Sequence, residues 1–207
     1  SFSWLDAGRP GEDIAGEYVP IGYRPARYTV EADGSFYLSE TPDEPGPGWD
    51  ASLPRLVRYA RFRDRTTEKE HLHVNTHFDH RGATARARSA AFVREQLDEL
   101  APTAPIVLTG DLNCRPGSEP YRILTAESEA GRPLADTAER SETPVHGPTT
   151  SMTDFSNLIP DKKIDHVLVS PDIDVLQQGT CSDMYDNGRF PSDHLPVIAD
   201  VSLPGGK

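Results

Sequence analysis

Four short clusters of His, Asp and Asn stand where apolar segments of this sequence begin or end. The clusters are His77-Phe78-Asp79-His80, Gly110-Asp111-Leu112-Asn113, Asp165-His166 and Ser192-Asp193-His194. Short apolar segments bounded by polar residues are typical of strands, and the ends of strands are where a rigid scaffold presents reactive groups. Because the four clusters share one chemical type, we predict that they converge on a single site.

The side chains in these clusters suit one kind of chemistry. Aspartate carboxylates are hard oxygen ligands for Mg²⁺ or Mn²⁺. Histidine acts as an acid or a base near neutral pH, and asparagine donates a hydrogen bond to a phosphate oxygen without adding charge. Phosphoryl transfer needs charge neutralisation, an activated water and in-line positioning. The clusters therefore indicate metal-assisted chemistry on a phosphate ester.

The residue types that are missing argue against two other chemistries. The sequence has no pair of cysteine ligands and no His-Glu-x-x-His motif, which argues against zinc. It has no glycine-rich phosphate loop with its lysine, which argues against hydrolysis of nucleoside triphosphates. The two cysteines, Cys114 and Cys181, are too few for a disulfide framework.

The apolar pattern places the clusters on a mixed α/β sheet. A helix is predicted from Ala83 to Leu100, where apolar residues recur every three or four positions and Ala101-Pro102 follows. The segment 55–63 alternates apolar and basic residues imperfectly, which predicts a strand at a sheet edge. The other predicted strands are 18–23, 35–38, 71–76, 106–109, 164–170 and 197–203. The predicted loops are 8–16, 41–48 and 125–150.

Length and charge limit the class of protein. The 207 residues suit one domain with a sizeable core, and no apolar run approaches the ~20 residues of a membrane span. The net charge of −12 argues against strong nonspecific binding to nucleic acid. Residues 54–94 carry the opposite sign, with nine Arg and one Lys against four acidic residues. This segment is either a basic face for a phosphorylated substrate or a solvated helix face.

Six stretches of the sequence resemble one known family. They are 17–21, 36–42, 75–82, 109–113, 163–170 and 189–197. In content and order they resemble the endonuclease/exonuclease/phosphatase superfamily, and in particular stand-alone prokaryotic members with a Thr-His-Phe-Asp-His-Arg-Gly motif. The resemblance implies a four-layer α/β/β/α sandwich of the DNase I-like type. It also implies hydrolysis of a phosphate ester with Mg²⁺, or Mn²⁺ in its place.

The resemblance assigns catalytic roles to the first two clusters. His77 resembles the family histidine that contacts the scissile phosphate and protonates the leaving group. Asp111 resembles the carboxylate that orients the attacking water, and it is also a candidate metal ligand. Asn113 resembles the amide that holds a phosphate oxygen.

The last two clusters receive roles in the same way. Asp193 resembles a carboxylate metal ligand, direct or through water. His194 resembles the essential histidine that acts as a base or stabilises the transition state. Asp165 resembles the partner that orients His194 and favours its protonated form.

Four further residues are candidate substrate contacts. Asp79 and His80 stand within the motif around His77, and Arg55 and Arg81 are cations that suit a phosphate. His80 has a second interpretation, because it could cap the helix that follows it.

The sequence departs from the family pattern at its start. Family members begin with a strand that bears an Asn, followed by a motif with a Glu that is the principal metal ligand, and neither is present. We therefore expect one domain over residues 1–207 that is N-terminally incomplete by about 50–70 residues, judged from usual domain size. A cytoplasmic location is expected, and secretion stays open because the natural N-terminus is absent.

Two alternatives to a nuclease-like phosphodiesterase remain open. One is a phosphatase acting on a small sugar or inositol phosphate, which the acidic net charge favours. The other is a non-catalytic binding relative that lacks the N-terminal Asn and Glu. The expected partner is a phosphorylated small molecule or a nucleic acid as substrate, with no stable protein partner and no membrane.

Overall fold

A six-stranded mixed sheet forms the centre of the computed structural model, which describes residues 1–5, 18–127 and 131–205. The described strands are β1 (Ser3–Leu5), β2 (Ile21–Tyr23), β3 (Tyr28–Tyr37), β4 (Leu56–Asp64), β5 (Glu70–His77), β6 (Ile106–Asp111), β7 (Ala135–Asp136), β8 (Asp165–Val169), β9 (Asp174–Thr180) and β10 (Val197–Ser202). The described helices are α1 (Ala83–Leu100), α2 (Glu119–Thr125) and α3 (Thr137–Arg140). The sheet has the order β3-β4-β5-β6-β8-β7, and the pairs β1–β2 and β9–β10 form two small sheets.

The strands of the central sheet run in mixed directions. β5 and β6 are parallel and are connected by α1, whereas the other neighbours in the sheet pair antiparallel. A parallel pair requires a crossover connection, and α1 supplies it on one face of the sheet. This face carries the main core, in which Leu72, Val74 and Leu108 of the strands pack against Val93 and Leu97 of the helix.

The other face of the central sheet is covered by the two small sheets. Ile21 of β2 packs against Ala60 and Phe62 of β4. Val175 of β9 packs near Val169 at the end of β8. The chain is therefore layered, with helices on one face of the sheet and a second β layer on the other. The prediction of a mixed α/β fold is confirmed.

The predicted helix at 83–100 is confirmed with the same bounds. Its N-cap is Gly82, which has no side chain with which to cap the helix. His80 is therefore not the cap of this helix. Asp50 takes part of that role from outside the helix, since its Oδ1 accepts the backbone N–H of Ala85 at 2.6 Å.

Two predictions about other segments are wrong. The strand at 55–63 is not at an edge, because β4 lies between β3 and β5. Some of its arginines have acidic partners on the neighbouring strands, as Arg63 shows by pairing with Glu70 of β5 at 2.6 Å. The predicted loop 125–150 contains β7 and α3, whose N-cap Asp136 accepts the backbone N–H of Ala138. The predicted loop at 8–16 lies outside the described residues.

None of the helices in the described ranges has both the length and the apolar character that crossing a membrane requires.

Candidate active site

Three neighbouring strands place three of the predicted residues side by side. His77 ends β5, Asp111 ends β6 and Asp165 begins β8. In the sheet register, His77 is the Cα partner of Asp111, and Asp111 is the Cα partner of Asp165. Because directly paired residues point to the same face of a sheet, the three side chains form one row.

Glycine at position 110 allows β5 and β6 to approach closely beneath this row. Gly110 has φ +148°, and a Cβ at this position would collide with the carbonyl oxygen of Thr76. Gly110 and Thr76 are the pair directly before Asp111 and His77 in the register. A side chain at 110 would push the strands apart where the site is built.

The turn after β6 fixes Asn113 against Asp111. Asn113 has φ +47°, a left-handed conformation that asparagine tolerates better than most residues. Its backbone N–H donates to Asp111 Oδ1 at 2.8 Å, and its side-chain amide donates to the carbonyl of Phe78 at 2.9 Å. Asp111 Oδ2 lies 3.3 Å from His77 Nε2. Asp111 thereby links the ends of β5 and β6.

His194 joins the row from the segment before β10. Its Nδ1 lies 2.8 Å from Asp165 Oδ2, and both side chains are partly exposed. The segment around Ser151 holds the two together: Ser151 O accepts the N–H of Leu195 at 2.8 Å, and Ser151 Oγ accepts the N–H of Asp165 at 3.1 Å. These two hydrogen bonds of Ser151 hold His194 next to Asp165 at the start of β8.

The carboxylates around His194 favour its charged form. The hydrogen bond with Asp165 raises the pKa of His194 to about 9, and the negative charges of Asp165, Asp111 and Asp193 act in the same direction. Partial burial opposes the shift and is outweighed. Because Nδ1 of His194 is hydrogen-bonded to Asp165, Nε2 is the ring nitrogen that remains available to a substrate.

The two carboxylates of this row suit a hard divalent cation. Asp111, Asp165 and His194 each offer an atom, and these atoms lie within 4.8 Å of one another. The two carboxylates are the oxygen donors that Mg²⁺ and Mn²⁺ prefer. Asp193 is not in this group. Its Oδ1 accepts a hydrogen bond from Ser192 Oγ at 3.3 Å, and its role as a metal ligand stays a prediction.

Asp79 and Arg55 are buried, which corrects their assignment as substrate contacts. Asp79 is 1% exposed, and its oxygens accept backbone N–H groups of Ser52 and Gly82 among others. Burial alone raises the pKa of Asp79, but these hydrogen bonds outweigh it and hold the pKa well below the usual range. Arg55 is 3% exposed and lies 3.6 Å from Asp79. The pair supports the loop below the site instead of facing substrate.

His80 and Arg81 are exposed and stay candidates for substrate contact. Nδ1 of His80 lies 3.1 Å from a guanidinium nitrogen of Arg55, and the ring lines the cleft described below. The backbone N–H of Arg81 donates to Asp79 at 2.9 Å, while its side chain is exposed.

A cleft with a volume of about 540 Å³ opens beside the row. Asn113 and His194 stand on its wall. So do three cations that the sequence motifs did not indicate: Arg86 of α1, Arg115 after β6 and Lys162 before β8. They come from three segments that are far apart in the chain, so no local pattern could have grouped them.

The arginines of segment 54–94 do not form one basic face. Seven of the nine meet carboxylates or carbonyl groups within the fold. The pairs are Arg55–Asp79, Arg58–Asp33, Arg61–Leu100 O, Arg63–Glu70, Arg65–Pro25 O, Arg86–Asp79 O and Arg94–Ile123 O. Arg86 is the member that lines the cleft. The segment is therefore neither a continuous substrate face nor a solvated helix face.

Comparison with known proteins gives the site its context. Residues 11–194 match the model of the Endonuclease/Exonuclease/phosphatase family. The chain belongs to this family. Its members are generally phosphoesterases that use divalent metals, in agreement with the acidic and histidine side chains gathered at the ends of β5, β6 and β8.

Solved structures of family members superpose closely on this chain. A family protein from Bacteroides vulgatus is 32% identical, with a TM-score of 0.89 over 98% of this chain and 76% of its own. A mannosyl-6-phosphatase from Bacteroides thetaiotaomicron is 31% identical, with a TM-score of 0.84 over 98% of this chain and 77% of its own. A search of curated proteins gave no match.

More distant structures share the fold alone. TDP2 from D. rerio, solved with a single-strand DNA product, is 16% identical and has a TM-score of 0.71 over 98% of this chain and 78% of its own. The DNase I-like fold expected from the sequence motifs is thus confirmed.

Proposed function

We propose that this protein is a divalent-metal-dependent phosphoesterase that hydrolyses its substrate by in-line attack of water. The observation that carries the proposal is the row His77–Asp111–Asp165 with His194 bound to its end. This row puts two histidines and two carboxylates on one face of three adjacent strands. Phosphoryl transfer needs this combination of cationic, acid–base and metal-binding groups.

Asp111 is the residue we assign to the cation, with Asp193 as the second carboxylate implied by the family motif. Bound there, Mg²⁺ would neutralise charge on the phosphoryl oxygens. Asp111 also orients its neighbours, because one oxygen accepts the Asn113 N–H and the other lies against His77. Asn113 is thereby fixed beside Asp111, and the family motif assigns its amide to a phosphate oxygen.

His194 stabilises negative charge on the phosphoryl group through Nε2, while Asp165 holds the ring by Nδ1. Its raised pKa supports a role as proton donor and charge stabiliser more than as a base. His77, on the far side of Asp111, protonates the leaving oxygen. The two histidines thus stand on opposite sides of the carboxylate that orients the attacking water.

A small phosphorylated molecule is the substrate class that we favour over duplex nucleic acid. The net charge of −12 opposes the approach of a polyanion. The similarity to a mannosyl-6-phosphatase, at 31% identity over 98% of this chain, supports a sugar phosphate. A phosphodiester substrate is the second candidate, and the experiment below separates the two.

Hydrolysis of p-nitrophenyl phosphate, a monoester, and of bis-p-nitrophenyl phosphate, a diester, tests the proposal. We expect turnover with Mg²⁺, a higher kcat/KM for the monoester, and a loss of about a hundredfold or more in EDTA that added Mg²⁺ restores. Turnover that survives EDTA would refute the metal-dependent mechanism. Binding of phosphate esters without turnover would instead support a non-catalytic relative.

A further inference from the structure

Three cations line the wall of the cleft beside the catalytic row. Arg86, Arg115 and Lys162 line it together with a single carboxylate, that of Glu119. The chain as a whole carries a net charge of −12, so this wall has the opposite sign to the average surface. A cleft lined by one sign of charge concentrates ligands of the other sign.

The cleft that the cations line also reaches the end of the catalytic row. The cleft reaches the row at Asn113 and His194, while His77, Asp111 and Asp165 are not part of its lining. A phosphoryl group that contacts Asn113 and His194 therefore borders the same cleft as the three cations. The part of the substrate attached to that phosphoryl group can then extend into the cleft and come within reach of the cations.

Arg86 is held in place by the buried loop below the site. One guanidinium nitrogen donates to the carbonyl oxygen of Asp79 at 2.8 Å, and the Asp79 carboxylate is itself fixed by backbone N–H groups. A guanidinium with a fixed orientation loses less conformational entropy when it binds an anion. The wall is thus partly preorganised for a charged ligand.

We propose that this wall binds a second anionic group of the substrate, so that preferred substrates carry a phosphate or carboxylate in addition to the scissile phosphate. The inference rests on the proposed phosphoesterase function and specifies its substrate class. A second phosphate on a small sugar and the neighbouring phosphate of a nucleotide chain share this chemistry. Arg115 and Lys162 are exposed and line the cleft together with Arg86, so all three can contact such a group.

Matched substrates that differ by one phosphate test the proposal. We would measure kcat/KM for glucose 6-phosphate and glucose 1,6-bisphosphate, and for a thymidine dinucleotide with and without a 5′-phosphate. The wild-type protein should prefer the compound with the additional phosphate in at least one pair, by about tenfold. The pair that shows the preference identifies the source of the second anion.

Single substitutions then test whether the cations of this wall cause the preference for the substrate with the additional phosphate. Arg115→Gln and Lys162→Gln should each remove most of the preference, by about fivefold to tenfold, while kcat/KM for the compound with one phosphate changes little. Arg115→Lys should restore part of it. The control Arg88→Gln removes the same charge from an exposed position of α1 outside the cleft lining and should leave the preference unchanged.

Calorimetric binding of glucose 1,6-bisphosphate in EDTA separates failure of this inference from failure of the proposed function. Binding that Arg115→Gln weakens, in a protein with no turnover of any compound, supports the anion subsite and overturns the phosphoesterase proposal. Turnover with equal kcat/KM for both members of each pair overturns the subsite. An equal loss of the preference in Arg88→Gln also overturns it, because net charge would then be the cause.

Discussion

Two carboxylate–histidine pairs start from consecutive residues of β8 and lie on opposite faces of the sheet. Asp165 pairs with His194 at 2.8 Å, and both side chains are partly exposed. His166 pairs with Asp136 at 3.3 Å, and both side chains are almost completely buried. The same chemical pair thus occurs once facing solvent and once facing the core.

The buried pair has protein partners on every side. Asp136 Oδ2 also lies 2.9 Å from Lys163 Nζ and 3.2 Å from the Tyr121 hydroxyl. The second ring nitrogen of His166 lies 3.0 Å from the carbonyl oxygen of Cys114. A buried polar group with all partners supplied fixes the local structure, and removing one partner is costly. We therefore assign the buried pair to stability and the exposed pair to chemistry.

Substitution of His194 is the strongest test of this division. His194→Gln should lower kcat by about a thousandfold, because it removes the charged group beside the phosphoryl oxygens. Its thermal unfolding temperature should fall by only about a few degrees, because the raised pKa of His194 gives the folded protein some stability at neutral pH but the pair is partly exposed to solvent. Steady-state kinetics and calorimetry measure the two quantities, and Asp165→Asn should fall between the two proteins in kcat. Full activity in His194→Gln would refute the assignment.

Substitution of Asp136 should give the opposite result. Asp136→Asn leaves Lys163 without its buried counter-charge and weakens the hydrogen bond to His166, and it should lower the free energy of unfolding by about 3 kcal/mol. The folded enzyme should keep its kcat/KM. Urea unfolding measures the change, and Glu139→Gln is a control at an exposed carboxylate that also contacts Tyr121. Loss of activity without loss of stability would contradict the comparison.

The pH dependence of stability gives a smaller test of the buried pair. Burial alone raises the pKa of Asp136, but the His166 hydrogen bond and the Lys163 charge outweigh it and lower the pKa below the ordinary 3.8. Below about pH 4 the unfolded chain binds a proton that the folded carboxylate does not. The stabilisation is therefore complete above that pH and is lost as the pH falls towards the folded pKa.

Wild type should then lose stability more steeply than Asp136→Asn between about pH 5 and about pH 3 in urea unfolding. His71 and His73 provide a common background. Burial lowers the pKa of each to about 4, so protonation of the unfolded chain below pH 6.5 destabilises both proteins equally. Equal slopes between about pH 5 and about pH 3 would show that Asp136 does not contribute.

The sequence was informative where function depends on position at a strand end. His77, Asp111 and Asp165 stand at the ends of apolar strands, and the register of the sheet brings them into one row. Their functional roles stay predictions. The bounds of α1 were predictable for a related reason, because its apolar spacing is local.

Sequence reasoning failed where the outcome depends on distant partners. Asp79 is a carboxylate in a motif of reactive residues. The sequence does not show that the backbone N–H of Ser52, 27 residues earlier, donates a hydrogen bond to its carboxylate. The prediction that 55–63 is an edge strand failed for the same reason. β3 pairs with that strand, and Asp33 of β3 forms an ion pair with Arg58. The cations of the cleft wall come from three segments, and tertiary structure alone brings them together.

Gly110 determines how the catalytic row could be transferred to another protein. The distance between His77 and Asp111 depends on a gap between backbones that any side chain at 110 would fill. A designer who copied only the reactive side chains onto another sheet would obtain the correct residues at the wrong separation. In this site, the smallest residue acts as the spacer, and the unit that must be transplanted is the strand pair with its glycine.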